Sequence, residues 1–248
     1  MIKRTVLLAL LFSGQFTLTA SAGISTDTVV SRRPNSSNYY PTIALGVATI
    51  LTWRDEGFMS RGAVYEWRQK NYSNFNTKID TYFQFVPAGA FLLTEFFQSR
   101  NRSHMKNSVV NFIKAEGLMV VMVHSIKQLA RVERPGSENL QSFPSGHTAQ
   151  AFLSATYLHR ELMNPRYDDL KSRKWLITGG YVLATATGSL RIMNNEHWVT
   201  DVLAGAAIGI LAGNLAYDIF PGKRDHSTKL TVAPFWNGAG GVSVTALF

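Results

Sequence analysis

Six apolar blocks of helical length, each closed by a polar break, constrain this 248-residue chain more than any other feature. They run Thr42 to Trp53, Thr81 to Phe97, Ser108 to Ala130, Thr148 to Leu162, Lys174 to Leu190 and Trp198 to Phe220. Blocks of that length with a helix-like pattern imply an all-α fold, a six-helix core bundle. Gly62 to Lys70, shorter and amphipathic, adds a small helix in the connection between the first two blocks. The tail reads differently. Lys229 to Trp236 and Gly241 to Phe248 alternate apolar and polar positions around Asn237-Gly238-Ala239-Gly240, the pattern of a short C-terminal β-hairpin. Pro234 would confine its strand to an edge, because proline donates nothing to a ladder.

The N-terminus bears on compartment. Lys3 and Arg4 precede an apolar run, Val6 to Phe12, and Ala20-Ser21-Ala22 supplies a small-x-small cleavage pattern. Residues 1–22 therefore read as a secretory signal, and the chain is expected in the periplasm or cell envelope of a bacterium. The run breaks up at Ser13, Gly14 and Gln15, which favours cleavage over an uncleaved anchor. Gly23 to Tyr40 is polar and reads as a flexible connection to a helical domain over 41–222, with the hairpin tail at 223–248.

Charge and cysteine content narrow the chemistry. Lys and Arg number 25 against 16 Asp and Glu, a balance that suits anionic partners. No dense basic stripe with interleaved aromatics is present, so phosphorylated or anionic-lipid substrates are expected and nucleic acid is not. The absence of cysteine excludes disulfides, thiolate metal sites, iron–sulfur clusters and a cysteine nucleophile. Whether the blocks cross a membrane stays open. Trp175 to Leu190 and Val202 to Tyr217 are charge-free over sixteen residues each, just short of the roughly 17–25 of a spanning helix. Lys114, Glu116, Pro87 and Glu95 interrupt other blocks in the manner of buried helices. After a cleaved leader, three full spans would put the next connection in the cytoplasm. The reading is a periplasmic globular protein that can rest on a membrane surface, with an integral protein as the alternative.

Three clusters carry chemistry. Lys127 and Arg134 lie seven residues apart, hence on one helix face, and Pro135 ends the helix. Such a pair can grip a phosphate, although basic residues at a helix C-terminus also serve as simple dipole partners. Pro144-Ser145-Gly146-His147 precedes the fourth block, where Ser145 can cap and glycine lets backbone amides approach an anion. The same string would also make an ordinary helix start. Finally, Arg191 precedes His197 and Asp201, which stand four residues apart, so the carboxylate can orient the imidazole for nucleophilic attack or metal binding.

In this order and spacing, the clusters resemble the type 2 phosphatidic acid phosphatase superfamily, which includes lipid phosphatases, class A acid phosphatases and vanadium haloperoxidases. Lys, six residues, Arg-Pro; then Pro-Ser-Gly-His; then Arg, five residues, His, three residues, Asp are all present, at ten positions from Lys127 to Asp201. Leu190 departs from the family's serine before the arginine, with Ser189 one residue earlier. The resemblance implies metal-independent phosphoryl transfer with no cofactor. His197 would be the nucleophile, Asp201 its orienting partner, and His147 the general acid and then base. Lys127, Arg134, Arg191 and the amides of Ser145 and Gly146 would bind the phosphoryl oxygens.

Only eight residues separate Pro135 from Pro144, a short link resembling the lipid-phosphatase branches. The expected substrate is a phosphorylated envelope lipid such as a lipid A phosphate, a phosphatidate or a prenyl pyrophosphate. A soluble acid phosphatase acting on small phosphomonoesters is the alternative, and a haloperoxidase, usually a much longer chain, is a minor one. Phe58, Trp67, Tyr72 and Phe75 have two readings, acyl-chain contact or core. Of the other histidines, His124 reads as a core residue and His104, His159 and His226 as surface residues. Glu133 reads as the ion-pair partner of Arg134.

Overall fold

The computed structural model describes residues 6–9, 35–54, 57, 59–98, 102–220, 229–236 and 240–247. The chain divides into a helical unit, Pro34–Gly222, and a second unit formed by Met1–Arg33 with Lys223–Phe248. The helical unit contains α1 (Tyr40–Trp53), α2 (Arg61–Tyr72), α3 (Ile79–Phe83), α4 (Val86–Gln98), α5 (Arg102–Ala130), α6 (Gly146–Leu162), α7 (Arg173–Met193) and α8 (Val199–Ile219). The block expected over Thr81 to Phe97 is thus two helices. Pro87 explains the break, because it lacks an N–H and is tolerated only in a first turn, where it stands in α4. Gly62 to Lys70 falls within α2, capped by Ser60, whose hydroxyl accepts the amide of Ala63 at 3.2 Å.

At the centre lies α8, packed against α6, α1 and α5. Its Gly205, Gly209 and Gly213 recur every four residues and form one ridge facing α6. A Cβ at Gly205 would lie 2.5 Å from the carbonyl oxygen of Ser145, and one at Gly209 would lie 2.3 Å from the carbonyl oxygen of Ala149. No residue with a side chain fits there, so the backbones of α6 and α8 touch and their relative height is set. Around them the core closes with an aromatic trio. Phe91 of α4 packs on Phe112 of α5 (4.8 Å between centroids) and on Tyr157 of α6 (5.3 Å). Truncating such a buried ring costs about 3–5 kcal/mol.

The end of this unit remote from Lys127 and His197 holds a polar cluster. Asp218 of α8 pairs with Arg160 of α6 and accepts the hydroxyl of Tyr39 at 2.7 Å, while Asn38 O accepts Asn214 Nδ2 at 2.8 Å. The end of the segment read as flexible, Ser36–Tyr39, is therefore a 3-10 turn tied to α8. Residues 23–34 lie outside the described residues. Glu95 is fully buried and accepts the hydroxyl of Tyr167 at 2.5 Å. Burial pushes its carboxyl up to about 7. Contrary to expectation, His124 is exposed and His159 is partly buried, its Nδ1 lying 3.2 Å from the hydroxyl of Tyr181. The 3.6-residue period puts His124 on the outer side of α5, away from the buried Met119 and Val123. His104 is exposed, and His226 and Phe58 lie outside the described residues.

In the second unit, β1 (Val6–Ala9), β2 (Lys229–Trp236) and β3 (Gly240–Leu247) form an antiparallel sheet in the order β1-β3-β2. Pro234 sits opposite Val242 on β2, an outer strand of the three. Val6–Ala9 falls within the expected leader and pairs with Ser243 to Ala246. The rest of residues 1–22 and the turn residues 237–239 lie outside the described residues.

Candidate active site

Two connections meet at one end of the helical unit: 131–145, between α5 and α6, and 194–198, between α7 and α8. Gly136 (φ +76°) makes the contact possible, since a Cβ there would stand 2.8 Å from Nδ2 of Asn195. Asn195, itself in the left-handed region at φ 59°, donates to the carbonyl of Pro135 at 3.1 Å. Trp198 Nε1 donates to the carbonyl of Glu133 at 2.7 Å. The amide of Ser145 donates to the carbonyl of Asp201 at 2.9 Å, joining the start of α6 to that of α8.

His197 sits in this junction, 3% exposed, with Nδ1 at 3.3 Å from Asp201 Oδ2. The same carboxylate oxygen accepts the hydroxyl of Ser142 at 2.5 Å and the amide of Trp198 at 2.9 Å. A carboxylate facing Nδ1 favours the tautomer with the proton there, which leaves the Nε2 lone pair available. Burial, outweighing the attraction of Asp201, holds the His197 imidazole down at about 4. His147, second residue of α6, is held down to about 4 by burial first and the Arg191 charge second, and it also feels His197 and Arg134. Both rings are neutral at pH 7 in the substrate-free site.

The three expected cations converge. Lys127 Nζ donates to the carbonyls of Gln141 (2.6 Å) and Ser142 (3.2 Å), tying the end of α5 to the first connection. Burial and the nearby Arg134 charge lower its ammonium to about 8. Arg191 is 7% exposed, and its Nη1 donates to Asp80 Oδ2 at 2.7 Å. Asp80, in α3, is 1% exposed and also accepts Asn194 Nδ2 at 2.9 Å. Arg134 Nη1 and Arg191 Nη2, the latter at 3.3 Å, both donate to Oε2 of Glu196. Both Nε atoms are buried without a partner among the described residues.

Three expectations change. The Ser145 amide does not face the cradle, because the Asp201 carbonyl holds it; the amides of Gly146 and His147, first in α6, are the ones without an intrahelical acceptor. Ser145 instead caps the helix, its hydroxyl accepting the Thr148 amide at 3.5 Å. Arg134 pairs with Glu196 rather than with its exposed neighbour Glu133. Neither expected helix-face pair forms within a helix: α5 ends at Ala130, where Arg131 turns into the left-handed region (φ 47°), so Arg134 lies in the connection and Pro135 does not end the helix, and His197 precedes α8. Ser189 is exposed on α7. Among the described residues, no group of three or more His, Asp and Glu side chains is placed to hold a metal ion.

Sequence reading missed Asp80, Glu196 and Ser142. Asp80 lies 111 residues from Arg191 with no motif around it, so only tertiary structure brings the two together. The Asn194-Asn195-Glu196 string offered a faint signal, since consecutive Asn residues before a helix favour a tight turn.

Residues 112–225 match the PAP2 superfamily. Over 204 residues the chain is 35% identical to the lipid A 1-phosphatase of Porphyromonas gingivalis, which covers 80% of this chain and 43% of that protein. It is 30% identical over 112 residues to probable lipid phosphate phosphatase 4 of Arabidopsis thaliana, covering 43% of this chain and 34% of that protein. The chain thus spans less than half the length of either relative. A crystal structure of a transmembrane PAP2 type phosphatidylglycerolphosphate phosphatase from Bacillus subtilis has a similar fold. Its TM-score is 0.54 at 22% identity, over 75% of this chain and all of that one.

Proposed function

Since this chain carries a PAP2 superfamily domain, we propose that it is a phosphatase of envelope lipids that works through a phosphohistidine. The observation that carries this reading is the buried His197, backed by Asp201 and near enough to Arg191 and Arg134 to feel their charges. Similarity to the lipid A 1-phosphatase of P. gingivalis supports a lipid A phosphate as the substrate, ahead of phosphatidates and prenyl pyrophosphates.

In the first step Nε2 of His197 attacks phosphorus and the bond to the lipid oxygen breaks. His147 delivers a proton to that oxygen, and the alcohol leaves. In the second step water attacks phosphorus, His147 takes the water's proton, the P–N bond breaks and phosphate departs. Asp201 balances the positive charge on the His197 ring during attack. Arg134, Arg191 and Lys127, with the amides of Gly146 and His147, stabilise the charge spread over the equatorial oxygens. His147 is neutral when the site is empty and must arrive protonated. The phosphoryl dianion supplies the reason, because an adjacent negative charge raises an imidazole pKa.

Surface chemistry supports a substrate held in lipid. Ile43, Val47 and Ile50 on α1, Leu93, Phe96 and Phe97 on α4, and Ile113 on α5 are all exposed. So much large apolar surface supports membrane contact over a solvated exterior. Two described helices are long and apolar enough to cross a membrane, Arg102–Ala130 and Val199–Ile219; the second is mostly buried as the central helix of its unit. Trp67 and Tyr72 of α2 are exposed, which favours their reading as lipid contacts. The test compares hydrolysis of a lipid A phosphate in mixed micelles with that of a water-soluble phosphomonoester, at equal phosphate concentration. Preference for the lipid by at least about tenfold in kcat/KM is expected; equal rates would favour a broad-specificity acid phosphatase.

A further inference from the structure

Glu196, directly before the nucleophile, carries a second inference, which rests on the reading that this site takes a phosphoryl group. One oxygen of its carboxylate, Oε2, accepts from both Arg134 Nη1 and Arg191 Nη2. An oxygen anion between two guanidinium groups is the position a phosphoryl oxygen would take in the same cradle. A guanidinium binds phosphate best through two parallel N–H bonds, and here each arginine has its Nε open while an Nη is spent on Glu196. Glu196 and the phosphoryl group therefore compete for the same donors, and as like charges they repel.

The two carboxylates on Arg191 differ in their freedom to leave. Asp80 is 1% exposed and is also fastened by Asn194, whose side chain is in turn bonded to both the amide and the carbonyl of Thr77. The Glu196 side chain is 42% exposed on the turn between α7 and α8, and the two arginines are its only side-chain partners among the described residues. We propose that Glu196 is an internal competitor for the phosphoryl group: its carboxylate fills the arginine pair in the resting enzyme, swings into solvent as substrate binds, and returns as phosphate leaves.

Displacing Glu196 weakens binding of every phosphorylated ligand alike, so it does not alter the ratio of kcat/KM between two substrates. The equal loss matters most for the occupancy of bare phosphate, which has no acyl chain to add apolar binding energy. The site then releases its product readily and is not occupied by free phosphate.

Calorimetric titration of inorganic phosphate and of vanadate into the full chain tests this, comparing wild type with Glu196→Gln and Glu196→Ala. Both variants should bind each ion about tenfold more tightly, and the phosphate inhibition constant against lipid-phosphate hydrolysis should fall by the same factor. Glutamine keeps the length and hydrogen-bonding reach, so it isolates the charge. Weaker or unchanged binding in the variants overturns the inference and makes Glu196 a positioning residue for the arginines. If the wild type hydrolyses phosphate esters and binds phosphate while the variants bind no tighter, only the role of Glu196 fails. If the wild type does neither, the phosphatase reading fails and this inference falls with it.

Discussion

The helical unit buries ionic groups at both ends, and the two ends resolve the cost in opposite ways. Remote from the site, the surplus is of acceptors. Glu95 and Glu161 are buried: Oε2 of Glu95 has no partner among the described residues, Oε1 of Glu161 lies 3.2 Å from Arg166 Nη2, and burial raises both carboxyl groups. A carboxyl can take up a proton and become neutral, so that end settles its own electrostatics. At the site the buried atoms without a partner include two donors, Nε of Arg134 and of Arg191, beside one acceptor, Asp201 Oδ1. Guanidinium groups cannot shed their protons, so Arg134 and Arg191 keep their charge, which Glu196 and Asp80 balance in the resting site. The lesson is that burial alone does not mark a binding site: what marks it is buried charge that titration cannot remove.

The largest expected effect tests the chemistry at the site. His197→Ala should lower phosphate release by about 10⁴-fold or more, as loss of a nucleophile does, while the fold survives by circular dichroism. Residual turnover near wild type would remove His197 from its role. Next comes the support of the cradle. Asp80→Asn should lower kcat about 10–100-fold, less than the loss of an oxyanion donor itself, because Arg191 keeps its charge but loses its anchor. The corresponding neutral change at the other end, Glu95→Gln, should leave turnover unchanged.

Stability against pH sharpens the comparison further. Glu95, raised to about 7 in the fold, gives stability that is present below the ordinary carboxyl pKa and lost as pH rises through 7. His147 and His197, lowered to about 4, act the other way: their contribution is present above the ordinary imidazole pKa of about 6.5 and is lost as pH falls toward 4. Thermal unfolding from pH 4 to 8 should therefore show Glu95→Gln flattening the alkaline side, by about 1–3 kcal/mol, and His147→Ala flattening the acid side. A variant that flattens the wrong side would refute the assignment. The smallest effect is proton uptake. Vanadate binding at pH 6 should draw up to about one proton, seen as buffer-dependent heats in calorimetry, and His147→Ala should abolish it.

Much of the site was legible because its chemistry is local in the chain. Lys127 and Arg134 are seven residues apart, Pro144 to His147 are contiguous, and His197 and Asp201 are four residues apart, although Arg134 lies past the end of α5 and His197 before the start of α8. Helix positions were equally readable from their apolar pattern, although Pro87 split one block in two. What escaped depends on long-range contacts. Asp80 reaches Arg191 only through packing of α3 against α7, and Arg134 chooses Glu196 over adjacent Glu133 because the two connections are pressed together at Gly136 and Asn195. The role given to the Ser145 amide failed for the same reason, since its acceptor lies 56 positions away on α8 (201 − 145). His124 misled because an apolar neighbourhood in sequence says nothing about which side of a helix is covered.

The contact between α6 and α8 has one more consequence. In the proposed mechanism, the imidazole that attacks phosphorus and the one that protonates the departing oxygen must keep a constant separation through both halves of a turnover. Gly205, resting on the Ser145 carbonyl, together with the Ser145–Asp201 backbone bond, makes the mounts of His147 and His197 a single stiff joint. On that mechanism the spacing of the two imidazoles is inherited from two helices that have no room to slide.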